Sequence, residues 1–189
     1  MLSLTSRPPI FYGWYIVGIA FSANFLATGT GFYAFNALLE PLYALRGWNR
    51  TDLNLAMAIG TVFGFLSQYV YGTLLIRIGV KRLMLFGAVT GGTAFILIPR
   101  VPHLWQFYLV YALLYTGNGA LGGIVAGTAV NNWFVRKRGK AMGIATAGMS
   151  LSGALLPLSA LILIRYAGLS GATLCIGAIM ILFGPVAWL

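Results

Sequence analysis

The sequence predicts an all-α protein that crosses a membrane several times. Its 189 residues are 60% hydrophobic and only 7% charged, whereas a soluble domain carries roughly 25% charged residues because its surface faces water. Basic residues also greatly outnumber acidic residues, with 12 Lys and Arg against 2 acids and a formal net charge of +10. Because these basic residues stand between long apolar runs, we attribute them to loops beside a membrane and expect no nucleic-acid partner.

Six apolar runs follow one another along the chain. A helix needs about 20 residues to cross a hydrocarbon core of about 30 Å, and the runs, the third with its flanking residues, meet that length. They are continuously apolar, unlike the alternating strands of a membrane β-barrel. We therefore predict six transmembrane helices, at about residues 12–39, 53–75, 83–98, 104–130, 141–164 and 169–189. The first run continues well past any cleavage site, so we expect it to be retained and not removed as a signal peptide.

The basic residues favour one orientation in the membrane. Both acids, Glu40 and Asp52, fall on the same side as four of the basic residues. The other eight lie in the N-terminus and in the loops after the second and fourth runs, at Arg7, Arg77, Lys81, Arg82, Arg136, Lys137, Arg138 and Lys140. Because positively charged loops stay inside, we expect a cytoplasmic N-terminus and an integral protein of the plasma (inner) membrane.

Polar residues concentrate on one helical face in each of the first, second, fourth and fifth runs. Polar groups in hydrocarbon need partners or water, so such faces point at other helices or at a cavity. Interhelical hydrogen bonding is one interpretation, and the four faces together favour a polar cavity. The predicted cavity residues are Asn24, Thr28, Gly31, Phe35, Gln68, Tyr111, Tyr115, Asn118, Thr146 and Ser150.

A weak internal symmetry relates the first and fourth runs. Each carries a Gly-polar-Gly tripeptide near its middle, Gly29-Thr30-Gly31 in one and Gly117-Asn118-Gly119 in the other. Glycine-interrupted helices at matching places are typical of substrate sites in transporters that are built from inverted repeats. The pattern therefore predicts two inverted three-helix repeats.

The loop after the second run carries a recognisable motif, Gly72-Thr-Leu-Leu-Ile-Arg77-Ile-Gly79-Val-Lys81-Arg82. It resembles the cytoplasmic loop motif of the major facilitator superfamily, G-x-x-x-D-R/K-x-G-x-R/K-R/K. Ile76 occupies the position of the acid, which in that family helps to latch the cytoplasmic side shut. The resemblance therefore implies a cytoplasmic gate that is weaker or differently built.

The loop after the fourth run also resembles this superfamily. It reads Asn132-Trp-Phe-Val-Arg-Lys-Arg138-Gly139-Lys-Ala-Met-Gly143, similar to W-F-x-x-x-R-G-x-A-x-G in the monocarboxylate and oxalate–formate antiporter branch, and Arg138 and Gly139 join the gate motif. Members have twelve spans in two six-helix halves, with the substrate between them. The resemblance thus implies the N-terminal half of a secondary transporter that moves a small organic anion, a mono- or dicarboxylate, by symport or antiport through alternating access.

The partners implied are the bilayer, the organic anion and a C-terminal six-helix half, without a cofactor or metal. No ionisable residue lies deep in any run, so the sequence predicts neutral substrate contacts and no proton relay in this half. An intramembrane hydrolase would need a histidine near Ser150 or Ser152, but His103, the only histidine, falls in a loop, so we expect no enzyme. The remaining alternative is a six-span scaffold or channel-like protein without transport activity, possibly a dimer.

Overall fold

The computed structural model describes residues 12–186, which form helices and turns without any strand. The elements in chain order are α1 (Gly13–Thr28), a π-helical turn (Gly29–Tyr33), α2 (Ala34–Arg46), α3 (Arg50–Ile78), α4 (Val80–Leu97), a 3-10 turn (Ile98–Arg100), α5 (Leu104–Leu121), α6 (Gly123–Trp133) and α7 (Arg138–Val186). The all-α prediction is confirmed for this range. Arg7, which supports the predicted orientation, lies outside the described residues. The end of the last run, residues 187–189, lies outside them as well.

Five helical segments in the described range are long and apolar enough to cross a membrane. They cover Gly13–Arg46, Arg50–Ile78, Val80–Arg100, Leu104–Trp133 and Arg138–Val186. Each of the first four segments extends beyond the apolar run predicted from the sequence, by two or more residues at one end or at both ends. Backbone geometry explains two of these ends, because α2 stops at Gly47 (φ 67°) and α3 at Gly79 (φ 80°), and a positive φ cannot continue a right-handed helix.

The last segment contains two limbs, residues 138–167 and 169–186. Gly168 between them has φ 71° and ψ 174°, a conformation open to glycine and strained for any residue with a Cβ. The first limb runs parallel to α1, since Gly148 lies against Phe21 and Ser152 lies against Gly29. It therefore crosses the bundle in the same direction as α1.

The second limb runs the opposite way. It is antiparallel to α4, because Gly184 lies at Leu85 and Gly177 lies at Ile96. Both α1 and α4 are antiparallel to α5, as successive contacts along each pair show, so α1 and α4 share one direction. The chain therefore reverses at Gly168, and α7 is a helical hairpin.

Glycines allow the helix backbones to approach closely. A methyl group at Gly87 of α4 would lie 2.5 Å from the Leu121 nitrogen and 2.6 Å from the Gly117 carbonyl oxygen of α5. A methyl group at Gly92 would lie 2.7 Å from the Gly177 carbonyl oxygen of the second limb. Because lipid tails are as apolar as leucine, this kind of close van der Waals contact is a main source of helix association in a membrane.

Two apolar clusters hold the bundle, one toward each end. In the first segment, the first cluster ends at Ala27 and the second cluster begins at Ala34. In the fourth segment the order is reversed, because the second cluster ends at Leu114 and the first cluster begins at Ala120. The residues between these limits include buried Thr30 and Asn118. A polar layer therefore separates the two clusters near the middle of the bundle.

We predict that Gly87→Ala destabilises the protein, because its methyl group would meet the α5 backbone and not a movable side chain. Overpacking typically costs about 1–3 kcal/mol, so thermal unfolding of the purified protein in micelles should occur at a lower temperature. Gly72→Ala is the matched control, since a Cβ there has nothing within 4 Å and alanine is favoured in helices. Equal losses in the two variants would contradict this account of the α4–α5 contact.

Candidate functional site

The first segment is interrupted by the π-helical turn Gly29–Tyr33. The Ala34 N–H donates to the Gly29 carbonyl oxygen, which is the five-residue spacing of a π-turn, a feature found frequently at functional sites. The Gly31 carbonyl oxygen accepts a hydrogen bond from the Tyr115 hydroxyl group of α5 at 3.0 Å. A side chain of α5 therefore provides a hydrogen bond to the backbone of this turn.

The fourth segment is broken between α5 and α6. Gly122 is extended (φ −108°, ψ −154°), and Gly123 has φ 55°, so the helix stops and restarts within the segment. A restarted helix begins with N–H groups that lack an acceptor in their own helix. The Gly123 N–H donates instead to the Asn24 side-chain oxygen of α1 at 3.0 Å.

Asn24 also binds a third element. Its amide nitrogen donates to the Ala145 carbonyl oxygen of the first limb at 3.0 Å, and the side chain is only 2% exposed. One buried amide therefore joins α1, the start of α6 and α7, with its oxygen and its nitrogen both hydrogen-bonded.

The two Gly-polar-Gly tripeptides meet in the polar layer. The Asn118 amide nitrogen donates to the Thr30 hydroxyl oxygen at 3.2 Å, and that hydroxyl group in turn donates to the Leu26 carbonyl oxygen at 2.8 Å. The two tripeptides that resemble each other in sequence are therefore in direct contact, and this contact joins the two interrupted segments.

A cavity of about 290 Å³ opens beside this polar layer. Its wall comes from the π-turn region, the middle of α3, the end of α5, the start of α6 and the first limb. The lining residues are Ala27, Thr28, Gly31, Phe32, Thr61, Gly64, Phe65, Gln68, Tyr115, Asn118, Gly119, Gly123 and Met149. None of them is charged, so the wall combines hydroxyl and amide groups with aromatic and aliphatic surface.

Half of the ten predicted cavity residues line this cavity. They are Thr28, Gly31, Gln68, Tyr115 and Asn118. Asn24 lies behind the wall, in the three-element contact described above. The first limb contributes Met149 in place of Thr146 and Ser150, which are exposed elsewhere on that limb; the Thr146 hydroxyl group donates to the Met142 carbonyl oxygen at 2.9 Å.

Phe35 and Tyr111 lie in the hydrophobic core and not in the cavity. Their rings pack edge to face at 5.3 Å between centroids, and each side chain is at most 1% exposed. The cavity also contains apolar residues that the polarity of the sequence did not indicate, notably Phe32, Phe65 and Met149. Thr61 and Gly64, by contrast, share a helical face with Gln68, which is a signal visible in the sequence.

The gate-motif residues lie at the junction of α3 and α4. Gly79 (φ 80°) ends α3 and precedes α4 directly, and its N–H donates to the Leu75 carbonyl oxygen at 3.2 Å. Gly72, Arg77, Lys81 and Arg82 are exposed around this junction, as is Ile76 at the acid position of the motif. The basic side chains there therefore face outward from one end of the bundle.

Arg138 at the start of α7 has a structural partner, while Gly139 beside it is exposed and has open space around it. The Arg138 guanidinium group donates to the carbonyl oxygens of Asn131 and Phe134, both at 3.3 Å. These carbonyls end α6, where a positive charge is favoured. Arg138 therefore caps the C-terminus of α6.

At the opposite end of the bundle, Arg50 pairs with Glu40 at 3.0 Å, with side chains 71% and 74% exposed. An exposed pair of this kind contributes at most about 1 kcal/mol. No group of three His, Cys, Asp or Glu residues that could hold a metal ion occurs within residues 12–186. The candidate site is therefore the cavity at the two interrupted segments, where several hydroxyl and amide groups line one space.

An apolar helical bundle with a cavity that contains a few polar groups between interrupted helices is typical of helical membrane transporters. The sequence comparison agrees, because residues 7–189 match the Major Facilitator Superfamily. The chain belongs to this family, whose members are transporters and not enzymes, and it is an integral membrane protein.

Three relatives illustrate the family match. The class G tetracycline resistance protein of Vibrio anguillarum is 30% identical over 112 residues, 59% of this chain and 28% of that protein. The MFS-type transporter pynF of Aspergillus niger is 33% identical over 89 residues, 47% of this chain and 20% of that protein. The uncharacterized transporter ESBP6 of Saccharomyces cerevisiae is 26% identical over 149 residues, 75% of this chain and 21% of that protein. The chain thus spans a fifth to somewhat more than a quarter of these relatives in the matched regions.

We predict that Asn24→Leu destabilises the protein, because it leaves the Gly123 N–H group without its acceptor and removes the hydrogen bond to the Ala145 carbonyl oxygen. Loss of these two hydrogen bonds costs about 1–3 kcal/mol in total, which should appear as a lower unfolding temperature and as faster amide exchange at Gly123. Asn36→Leu makes the same change at an exposed position and should leave both measurements near those of the wild type. An unchanged exchange rate in Asn24→Leu would contradict the role assigned to Asn24.

Proposed function

We propose that the protein is the N-terminal half of a secondary active transporter that moves a small organic anion, a mono- or dicarboxylate, by alternating access. The observation that carries the proposal is the cavity at the two interrupted segments, where hydroxyl and amide groups of Thr28, Gln68 and Asn118 meet an otherwise apolar wall. Such convergent polar groups in an apolar pocket are typical of small-molecule sites. Its neutral wall suits hydrogen bonding to a carboxylate group, and the cation that balances the anion would come from the C-terminal half.

We further propose six membrane-crossing helices in two inverted three-helix repeats. The hairpin at Gly168 supports six crossings, since it divides α7 into limbs of opposite direction. The placement of the π-turn in the first segment and of the break in the fourth supports the repeat, because these are corresponding positions in two triplets. The partial coverage of the relatives supports a half that works with a second half.

The proposed orientation has a cytoplasmic N-terminus in the plasma (inner) membrane. In this orientation the gate motif at the α3–α4 junction and the basic residues around Arg138 face the cytoplasm, where they contact anionic lipid headgroups. Glu40 and Asp52 then face outward. Ile76 leaves the gate without the acid of the family motif, so Arg77 has no carboxylate partner there from this loop.

The orientation can be tested by cysteine labelling. Cys175 is first replaced by serine, and then His103→Cys and Lys137→Cys, both at exposed positions, are made separately. We expect a membrane-impermeant maleimide to label His103→Cys on intact cells and Lys137→Cys only after permeabilisation, because positively charged loops stay inside. The reverse labelling pattern would overturn the proposed orientation.

Transport itself can be tested with the full-length protein in proteoliposomes. We expect saturable uptake of isotopically labelled mono- or dicarboxylates, and we expect Asn118→Leu to lower it at least tenfold, because this variant removes a polar group from the cavity and its bond to Thr30. Asn36→Leu should leave uptake unchanged. Absence of uptake for every anion would count against the proposal, and a stable homodimer with no uptake would favour a six-span scaffold or channel-like protein.

A further inference from the structure

Gln68 is the cavity residue whose hydrogen-bonding groups are left unused. It lines the cavity from α3, and its amide oxygen is buried without a hydrogen-bond partner. Among the described residues its amide nitrogen makes no hydrogen bond either. An unpaired amide group in an apolar setting lowers stability, so the fold gains nothing from the polarity of this side chain.

Three other hydrogen-bonding side chains of the cavity wall are used within the protein. Asn118 binds Thr30, the Tyr115 hydroxyl group donates to the Gly31 carbonyl oxygen, and the Thr61 hydroxyl group donates to the Met57 carbonyl oxygen at 2.8 Å. Gln68 thus differs from these three side chains in having a donor and an acceptor that no protein group uses.

Two glycines of neighbouring helices lie beside the Gln68 amide group. A methyl group at Gly119 or at Gly123 would lie 3.3 Å from the Gln68 amide nitrogen.

A carboxylate group alone does not match this side chain. Its oxygen can accept a hydrogen bond from the amide nitrogen, but it offers nothing to the amide oxygen, which would stay buried and unpaired. A primary amide pairs fully with a group that presents a donor and an acceptor on neighbouring atoms, as glutamine and asparagine do on the edge of adenine. A 2-hydroxycarboxylate or a carboxamide has such an edge.

We propose that Gln68 is a specificity-determining residue that selects substrates with a hydrogen-bond donor beside the carbonyl or carboxyl oxygen. This inference rests on the proposed function in taking the cavity as the substrate site. The Gln68 amide nitrogen donates to the substrate oxygen, and the Gln68 amide oxygen accepts from the neighbouring hydroxyl or N–H group.

The test measures binding of three small probes to the purified full-length protein in micelles. Butanoate presents acceptors only, 2-hydroxybutanoate adds a donor to the anion, and butanamide has the donor without the charge. We expect the last two to bind about fivefold more tightly than butanoate, since one hydrogen bond adds about 1 kcal/mol and 1.4 kcal/mol is tenfold. Gln68→Leu should bring these ratios close to one.

Gln106→Leu is the matched control. Gln106 also has a buried amide oxygen without a partner, but it does not line the cavity, so this variant should keep the fivefold preference. Gln68→Leu should also unfold at an equal or higher temperature than the wild type in the absence of a probe, because it removes an unpaired polar group. A lower unfolding temperature would mean that the amide group is bonded within the protein, and would overturn the proposal.

The outcomes separate this inference from transport. A binding preference that Gln68→Leu abolishes, together with no uptake in proteoliposomes, would refute the transport function and leave the role of Gln68 standing. Equal binding of all three probes by the wild type, or a preference that survives in Gln68→Leu, would overturn the role of Gln68 whether or not uptake occurs.

Discussion

The structure depends on how the backbone of a broken helix finds hydrogen-bond partners. A helix that restarts has N–H groups without an acceptor in their own helix, and at the break at Gly122 and Gly123 another element supplies one. Asn24 supplies it, and its nitrogen occupies the Ala145 carbonyl group at the same time. One side chain with two hydrogen bonds therefore links α1 both to α6 and to the first limb of α7.

The cavity is a consequence of the same arrangement. Apolar clusters pack toward both ends of the bundle, while the π-turn lies between them and the break falls at the edge of the first cluster. The Thr30–Asn118 bond and the bond from Tyr115 to Gly31 hold the two interruptions together. Glycines at the wall leave space where larger side chains would fill it, so the interruptions produce room for a ligand as well as polar groups to orient one.

The distribution of charge complements this neutral interior. Within residues 12–186 the basic residues lie at or near the ends of helices, where Arg138 binds the carbonyl groups that end α6, and the cavity wall carries none. A neutral wall can orient a small anion through hydrogen bonds but cannot balance its charge. This limitation is the physical reason for assigning the balancing cation to a second half in the proposed transporter.

Composition and periodicity by themselves determined that the protein is helical, that it crosses a membrane and which helical faces are polar, because these properties depend on local spacing and on average hydropathy. They also indicated an interruption near Gly117-Asn118-Gly119, three residues before the actual break begins. Only the tertiary structure decided which polar faces meet. Tyr111 shares a helical face with Tyr115, yet Phe35 covers it, whereas Met149 reaches the cavity and Ser150 does not. Periodicity tells which residues point the same way, but the neighbouring helix determines whether they meet a cavity, a core or the outside.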